Sequence, residues 1–460
     1  MGHYVPHTDA EIAGMLGFMG LSSIDDLFSV VPEALRLIAT GEGEHGRRFL
    51  DIADGLSEPD VAVALERLAN ANVACGPDLV CFAGAGAYDH EVPAAVRRVA
   101  FRSEFVTAYT PYQPEVAQGV LQVLFEYQTM IARLTGLEVA NASLYDGATA
   151  TVEAVNLAVA ATGRSRVWLS QGVHPTWRAT VHTMARGSGH DIREIALRDG
   201  LTHWPRETGA DGDAPGAVVV QYPNHLGCIE DVAEARALAD RHGALLIVVM
   251  DPVAGGLLAS PGSLGADLVV GEGQPFGTPL SFGGPYLGLF ACRLDLVRRL
   301  PGRLVGETLD VEGRRAYVTT LRTREQDIRR EKASSNVCTN QTLIAVVCAI
   351  QLAWLGKSGL RELALRCARA TRYLREAVTG IEGVEMAVGA PTFREFALRL
   401  PIAADLVVER MAEEGFLAGV VLGAGHDDGA YGEGLLVTAT ERRTRDEIDA
   451  YAHALEKVIR

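Results

Sequence analysis

Hydrophobic positions follow two different periods in the middle of the chain, between residues 116 and 293. From 116 to 134 they recur every three or four residues, which predicts one amphipathic helix that ends near Gly136. Beyond it, short and almost continuously apolar runs predict strands, at 166–170, 217–224, 244–252, 266–272 and 284–293. Helical patterns separate these runs, at 146–163, 174–185 and 230–243. Because parallel strands covered on both faces are apolar along their whole length, the pattern predicts a mainly parallel sheet between two layers of helices.

The segments on either side of this block have a different character. The first hundred residues carry helix-start signals, such as Ser23 with Asp26 and Ser57 before early acids, and predict a helical extension. After residue 320, helical patterns lead into short alternating segments and a final helix, which predicts a smaller α+β domain. The predicted parts are a helical N-terminal extension at 1–100, a large α/β domain at 101–320, and connecting helices with a small C-terminal α+β domain at 321–460.

Composition and charge narrow the classes of function. A net charge of −16 over 460 residues disfavours nucleic acid and anionic membranes as partners. The longest apolar runs, such as 244–250, are far shorter than the ~20 residues of a membrane span. The N-terminus lacks the pattern of a secretory signal. Seven scattered cysteines without a CxxC pair indicate a reduced, cytoplasmic protein with no metal site.

Three places in the α/β block could hold an anionic or heteroaromatic ligand. The amides of Gly147, Ala148 and Thr149 begin a predicted helix, where its dipole favours an anion, although a plain tight turn explains them as well. Asp251 ends a predicted strand and could keep a ring nitrogen protonated, or it could serve only the turn before Pro252. His174 follows a strand end and could stack on a flat cofactor, or it could be a hydrogen-bonded cap.

Two further segments are left with open interpretations. The loop with Tyr109, Tyr112 and Gln113 is more aromatic than a linker needs and is equally consistent with a site or an interface. The basic stretch 321–341 could clamp a carboxylate or phosphate, but its interspersed acids favour a solvated, salt-bridged helix face. Cys338 within this stretch has no histidine pattern beside it and is expected to be a small buried apolar residue.

Several stretches, taken together, resemble one family. They are YVPHTDAEIAGML, FAGAGAYDHEVP, the block from FVTAYTPYQPE to SLYDGATA (105–150), QYPNHLGCIEDV, GEGQPFGTPLSFGGPYLG and RREKASSNVCTNQ. This combination resembles the P-protein family of the glycine cleavage system, in the form of subunit 1 (alpha) of the split bacterial glycine dehydrogenase (decarboxylating). The resemblance spans nearly the whole chain.

The resemblance implies a pyridoxal phosphate (PLP) transferase architecture of fold type I, with a large domain, a small domain and an N-terminal extension. It also implies a homologous partner, subunit 2 (beta). In this family the complex decarboxylates glycine and transfers the aminomethyl group to the lipoyl arm of the H-protein. PLP is the cofactor that this chemistry requires.

A PLP enzyme needs a lysine near residue 274, and this chain has Gln274 there. An amide nitrogen is not nucleophilic and cannot form the imine that anchors the cofactor. Only three of the 42 basic residues are lysines, Lys332, Lys357 and Lys457, and all lie outside the expected loop. The resemblance therefore implies that subunit 2 carries PLP covalently. This chain would keep a vestigial site at Gly147, Ala148, Thr149, His174, Asp251 and Gln274.

Fold-type I sites lie at a subunit interface, so the resemblance implies that this chain lends residues to its partner's site. The expected residues lie on two loops and are Tyr88, His90, Tyr109, Thr110, Tyr112 and Gln113. Two alternatives stay open. One is a stand-alone PLP enzyme that uses Lys332, and the other is a non-catalytic scaffold that binds the H-protein alone.

Overall fold

The computed structural model describes residues 6–32, 35, 55–76, 78–106, 110–205, 214–423, 431 and 434–460. The chain divides into two compact units, Met1–Val73 and Ala74–Arg460. The predicted boundaries after residues 100 and 320 stay predictions.

The first unit contains the predicted helix starts. Helix α1 spans Asp9–Phe18, and α2 spans Glu58–Ala69. A 3-10 turn, Ile24–Phe28, begins with the predicted capping box of Ser23 and Asp26. The side chain of Ser57 caps α2 by accepting a hydrogen bond from the Asp60 amide. These side chains satisfy backbone N–H groups that have no partner within the helix itself.

The second unit contains the remaining helices and the strands. Its helices are α3 (Ala94–Ala100), α4 (Ser103–Val106), α5 (Gln118–Thr135), α6 (Gly147–Thr162), α7 (Pro175–Ser188), α8 (Val232–His242), α9 (Gln326–Arg329), α10 (Thr342–Val378), α11 (Ala404–Glu413) and α12 (Arg445–Ile459). Its strands are β1 (Val80–Cys81), β2 (Val139–Ala140), β3 (Arg166–Ser170), β4 (Asp191–Ile195), β5 (Leu197–Arg198), β6 (Leu201–Thr202), β7 (Ala217–Tyr222), β8 (Leu245–Met250), β9 (Leu268–Glu272), β10 (Gly288–Cys292), β11 (Leu304–Leu309), β12 (Arg315–Thr320), β13 (Glu385–Met386), β14 (Glu395–Arg399), β15 (Phe416–Leu417), β16 (Val420–Val421) and β17 (Gly434–Thr438).

The central sheet is mainly parallel, as the apolar runs predict. Its strand order is β2-β10-β9-β8-β7-β3-β4, and the five strands from β9 to β4 are parallel to one another. Alternate residues of each strand enter opposite cores. Val218 and Val220 pack on the side of α5 and α8, whereas Val219 packs on the side of α6. Both faces of the sheet are therefore buried, which explains why the strands are apolar throughout.

All five predicted strands are present, and the differences lie at the edges of the sheet. Strand β10 runs antiparallel to β9 because a loop, and not a helix, connects them. The sequence patterns did not predict β4 at the opposite edge or the hairpin of β11 and β12. These strands have half-exposed and charged positions, so their apolar signal is weak.

A second sheet, in the order β13-β14-β17-β16, forms the C-terminal part. The end of α10, together with α11 and α12, covers it around a core of its own. Strand β1 pairs with β15 beside this core. The segment that follows Ala74 therefore belongs structurally to the second unit.

One described helix, α10, is long and apolar enough to cross a membrane by length and composition alone. Its residues Ala345, Cys348 and Ala364 pack into the core beside the central sheet. Its path also breaks at Gly356, where φ is 59° and ψ is −175°. Because core helices pass the same test of length and composition, α10 is weak support for a membrane span.

Candidate functional site

The carboxyl ends of the central parallel strands form a closed and buried site. Asp251 follows β8 directly, and Gln274 lies two residues after β9. The backbone of Tyr88 bonds to Gln274, and Arg394, just before β14, pairs with Asp251. Ligands of open α/β sheets collect at this edge, so these residues define the candidate site.

Gln274 is completely buried, and its side-chain amide is fully hydrogen-bonded. Its Oε1 accepts from the Tyr88 amide at 3.1 Å. Its Nε2 donates to the carbonyl of Tyr88 at 3.1 Å and to the carbonyl of Thr278 at 2.7 Å. Its side-chain amide therefore joins its own loop, through Thr278, to the loop that carries Tyr88.

Asp251 forms an ion pair with a buried arginine. Its Oδ2 lies 2.9 Å from Nη2 of Arg394, and its Oδ1 accepts from the Val253 amide at 2.9 Å. The Arg394 guanidinium also stacks over the Tyr88 ring, 3.4 Å from the ring centre. Burial tends to lower the pKa of Arg394, but Asp251 and the other acidic groups around it raise this pKa on balance. Asp251 therefore serves the turn that follows β8, and it also pairs with a cation, which here is Arg394.

The predicted anion site at the start of α6 is filled by a carboxylate of the same chain. Oε2 of Glu272 accepts from the Gly147 amide at 2.9 Å. Oε1 accepts from the amides of Gln274 and Leu287 at 2.9 and 2.8 Å. Burial raises the pKa of Glu272 to about 7, against the lowering effect of these three N–H groups.

A second amide of the first turn of α6 also has a carboxylate partner. The Thr149 amide donates to Oδ1 of Asp146 at 2.8 Å, so carboxylates of this chain accept from the Gly147 and Thr149 amides. A Cβ atom on Gly147 would lie 2.1 Å from the ring of Trp177, so only glycine allows this approach. The amides that could cradle a phosphate are thus covered from two sides.

His174 occupies the N-cap position of α7, and the hydrogen bonds of its ring define its tautomer. Its Nε2 lies 2.8 Å from the carbonyl of Ala85, which can only accept, so Nε2 carries the proton. Its Nδ1 therefore accepts from the Thr176 hydroxyl, at 2.8 Å. Its backbone amide donates to Oε1 of Gln221 at 2.9 Å, at the start of α7. The hydrogen-bonded interpretation explains each of these contacts.

Tyr88 and His90 point into this chain and are 7% and 5% exposed. The Tyr88 hydroxyl donates to Oε1 of Glu395 at 2.6 Å. Nδ1 of His90 lies 2.6 Å from Oε2 of Glu441. Their predicted contribution to a partner's site gains no support from this geometry, because both side chains are buried in this chain's own site.

His90, Cys367 and Glu441 have ligand atoms within 4.8 Å of one another, a spacing that a metal could use. Arg394 donates a hydrogen bond to Nε2 of His90. Because arginine can only donate, the imidazole proton lies on Nδ1 and is donated to Glu441. The Glu441 carboxylate accepts this hydrogen bond. Burial tends to raise the pKa of Glu441, but the interaction with His90 lowers it to about 2. We assign this cluster as a hydrogen-bonded relay.

The space left among the site residues is a cavity of about 40 Å³. Its walls include Tyr88, His174, Asp251, Glu272 and Arg394. Such a volume admits a few water molecules, whereas pockets for drug-sized ligands enclose about 300–1,000 Å³. This volume, together with Gln274 and the carboxylates on the Gly147 and Thr149 amides, argues against PLP in this site. Lys332 is exposed and is not among the residues of the cavity wall.

The second predicted loop has the opposite character and lies at the surface. Tyr112 is 46% exposed, and its hydroxyl accepts from Nη2 of Arg303 at 2.7 Å. The guanidinium carbons of Arg303 and Arg322 lie 4.5 and 5.5 Å from its ring centre. Thr110 is half-buried and Gln113 is exposed. Tyr109 lies outside the described residues.

The basic stretch 321–341 is not a helix face. It contains the four-residue helix α9 between two short 3-10 turns, and φ angles of 55° at Leu321 and 54° at Arg330 interrupt any longer helix. Cys338 is exposed, so the expectation that it is buried is wrong. The carbonyl of Cys338 accepts from Arg303 at 2.9 Å, and this fixes its backbone while its side chain faces solvent.

The family described as glycine cleavage system P-protein matches residues 2–455 of this chain. The chain belongs to the P-protein family. It is similar to the probable glycine dehydrogenase (decarboxylating) subunit 1 of Moorella thermoacetica, with 46% identity over 456 residues that cover 99% of each chain. The corresponding protein of Desulforamulus reducens is 44% identical over 459 residues, covering 98% of this chain and 99% of that one.

A solved P-protein structure extends this similarity to three dimensions. It is a crystal structure of glycine decarboxylase (P-protein) of the glycine cleavage system, in inhibitor-bound form. It is 44% identical, has a TM-score of 0.89, and the match covers 99% of this chain and 100% of that chain.

More distant structures share only the fold with this member of the P-protein family. Mouse CSAD has a TM-score of 0.67 at 17% identity, with 89% of this chain and 90% of that chain covered. A sphingosine-1-phosphate lyase from Burkholderia pseudomallei has a TM-score of 0.64 at 17% identity, with 93% and 94% covered. The predicted fold class, fold-type I α/β with a mainly parallel sheet, is confirmed.

Three side chains of the closed site were not predicted for this P-protein chain: Arg394, Glu272 and Trp177. Two of them carried a signal. Glu272 ends the apolar run ADLVVGE, and Arg394 stands with Glu395 in the otherwise apolar FREFALRL. A charge within a buried strand must find a partner, because its desolvation is costly. The pattern did not say which distant residue supplies that partner.

Proposed function

We propose that this chain is subunit 1 of a two-subunit glycine decarboxylase and that it carries no cofactor of its own. Gln274 is the observation that carries this proposal. It stands where the family's chemistry needs a lysine, and its amide is consumed by hydrogen bonds to Tyr88 and Thr278. The relatives named probable glycine dehydrogenase (decarboxylating) subunit 1 support the assignment of the reaction.

The proposed partner is subunit 2, in keeping with the name of these relatives. The complex would act on glycine and on the lipoylated H-protein, in the cytoplasm. We propose that subunit 2 binds PLP covalently; the small cavity and Gln274 in this chain's own site support this assignment. What this chain supplies is then a shaped protein surface.

The surface loop around Tyr112 is the best candidate for that contribution. Its exposed residues are Tyr112 and Gln113, with Thr110 half-buried beside them and Tyr109 as a predicted neighbour. A hydroxyl held in place by Arg303 can orient a substrate, and an aromatic ring can exclude water from a reacting carbanion. Tyr88 and His90 would contribute to the partner's site only indirectly, by stabilising the core of this subunit.

Borohydride reduction in the presence of PLP tests the proposal directly. The purified chain should trap no stoichiometric adduct, and the chain with subunit 2 should show glycine-dependent exchange with bicarbonate. Subunit 2 alone should show little exchange. A stoichiometric adduct on this chain alone would contradict the proposal, and mapping the adduct to Lys332 would support the stand-alone enzyme instead. Binding of H-protein without subunit 2, and no exchange with it, would support the scaffold.

A further inference from the structure

We infer that this chain carries internal replacements for the polar groups of a cofactor. Arg394 stands in for a protonated ring nitrogen, and Glu272 stands in for a phosphate. The inference rests on the proposed function, in that this chain holds no PLP, and goes beyond it. Loss of the lysine is then only one of three barriers to cofactor binding.

The first replacement is made at Asp251. A carboxylate at this strand end can hold a ring nitrogen protonated, and it requires a cationic N–H donor in return. Arg394 supplies that donor at 2.9 Å and is 2% exposed. The guanidinium plane also stacks on the Tyr88 ring at 3.4 Å, as a flat heteroaromatic ring could. A planar cation therefore already pairs with Asp251.

The second replacement is made at the start of α6. Amides at a helix N-terminus bind anions because their N–H groups and the helix dipole point outward. The Glu272 carboxyl takes the Gly147 amide at 2.9 Å and adds bonds from the amides of Gln274 and Leu287. Glu272 is 7% exposed, so its carboxyl group is buried against the start of α6, where a phosphate would otherwise bind. The Trp177 ring packs against Gly147 and covers the same end.

These replacements hold the two sheets of the second unit together. Arg394 precedes β14 of the C-terminal sheet, whereas Asp251 follows β8 of the central sheet. Tyr88 adds a second connection, from Gln274 to Glu395. A cofactor would have to break both connections before it could enter. The site is therefore closed by satisfied contacts as well as by a missing nucleophile.

The first experiment restores the lysine alone. Gln274→Lys is expected to trap no more PLP than the unchanged chain after borohydride reduction, with folding checked by the thermal midpoint. A stoichiometric adduct on Gln274→Lys would overturn the inference while leaving the proposed function intact, since the unchanged chain would still trap none. An adduct on the unchanged chain would instead refute the proposed function.

The second experiment uncovers the α6 amides and uses inorganic phosphate as the probe. Glu272→Ala should gain phosphate binding in the millimolar range, seen as a thermal midpoint that rises with phosphate concentration. Glu153→Ala is the matched control, because Glu153 is a buried carboxyl on the same helix but away from its N-terminus. The control and the unchanged chain should show no such rise. Equal responses of all three proteins would overturn the inference, even if Gln274→Lys fails to fold.

Discussion

Two arginine–tyrosine pairs occupy opposite environments in this chain. Arg394 stacks on Tyr88 at 3.4 Å inside the closed site, where the tyrosine is 7% exposed. Arg303 stacks on Tyr112 at 4.5 Å near the surface, where the tyrosine is 46% exposed. Both tyrosines lie in stretches that carry the family resemblance. The same type of pair therefore fills the buried site at Tyr88 and holds an exposed tyrosine, Tyr112, at the surface.

The difference follows from what else each arginine contacts. Arg394 pairs with the partly buried carboxylate of Asp251 at 2.9 Å and also donates to His90. Arg303 donates hydrogen bonds to the Tyr112 hydroxyl and to the carbonyl of Cys338. Its Nη1 lies 3.4 Å from Oε2 of Glu325. Arg303 thereby fixes two surface loops. The buried pair is expected to determine stability, and the surface pair is expected to determine function in the complex.

The largest effect is expected from breaking the buried pair. Arg394→Met leaves the partly buried Asp251 without its counter-ion and should lower the free energy of unfolding by about 3–5 kcal/mol, measured by urea denaturation. Arg394→Met combined with Asp251→Asn should recover part of this loss. Arg372→Met, which breaks the exposed Arg372–Glu376 pair, should leave stability unchanged. A loss below about 1 kcal/mol for Arg394→Met would remove the proposed contrast between the two regions.

A pH effect of similar size is expected from Glu272. Its pKa is about 7 in the folded chain against a normal 4.5, so the folded state binds its proton more tightly than the unfolded state. The stabilisation is full below about pH 4.5 and is lost as the pH rises through 7. The free energy of unfolding should fall by roughly 3 kcal/mol across this window. Glu272→Gln should flatten this part of the curve, and an unchanged slope would contradict the assignment.

The surface pair is expected to affect activity more than stability. Tyr112→Ala should change the free energy of unfolding by less than about 1 kcal/mol, because the ring is half exposed. It should lower kcat/KM of the reconstituted complex at least about tenfold, through loss of substrate positioning. Tyr112→Phe keeps the ring over Arg303 and should retain more activity. Full activity of Tyr112→Ala would exclude this loop from the partner's site.

The smallest perturbation is chemical labelling of the thiols. Cys75 and Cys338 are exposed and the other five cysteines are buried, so two thiols should react rapidly with a disulfide reagent in the folded chain. Addition of subunit 2 should slow the reaction of Cys338, whose loop Arg303 holds beside Tyr112. Mass spectrometry of the labelled peptides separates the two sites. Equal labelling of Cys338 with and without subunit 2 would place the interface elsewhere.

Most of the fold could be predicted because its signals are local. The apolar runs gave the five central strands, and side-chain caps such as Ser23 and Ser57 gave two helix starts. The prediction failed where backbone geometry overrode composition. The stretch 321–341 has helix-forming residues, but positive φ angles at Leu321 and Arg330 limit it to short helical turns, and Cys338 is exposed.

The candidate site could be predicted only in part. Gln274, Asp251 and the α6 start were identified, because the chemistry of a lysine, a carboxylate and a helix N-terminus can be assessed residue by residue. The occupants of the site were not identified. Glu272 and Arg394 act through partners that are distant in sequence, and no local pattern specifies such partners.

The sequence by itself determined that residue 274 cannot anchor PLP through an imine, since the amide nitrogen of glutamine is not nucleophilic whatever surrounds it. It also determined the layered α/β architecture, because a strand that is apolar on both faces must be covered on both. Only the tertiary structure decided that the site is closed. Folding brings Tyr88 to Gln274 and Arg394 to Asp251, and buried charges and amides that meet in this way satisfy one another and leave no room for a cofactor.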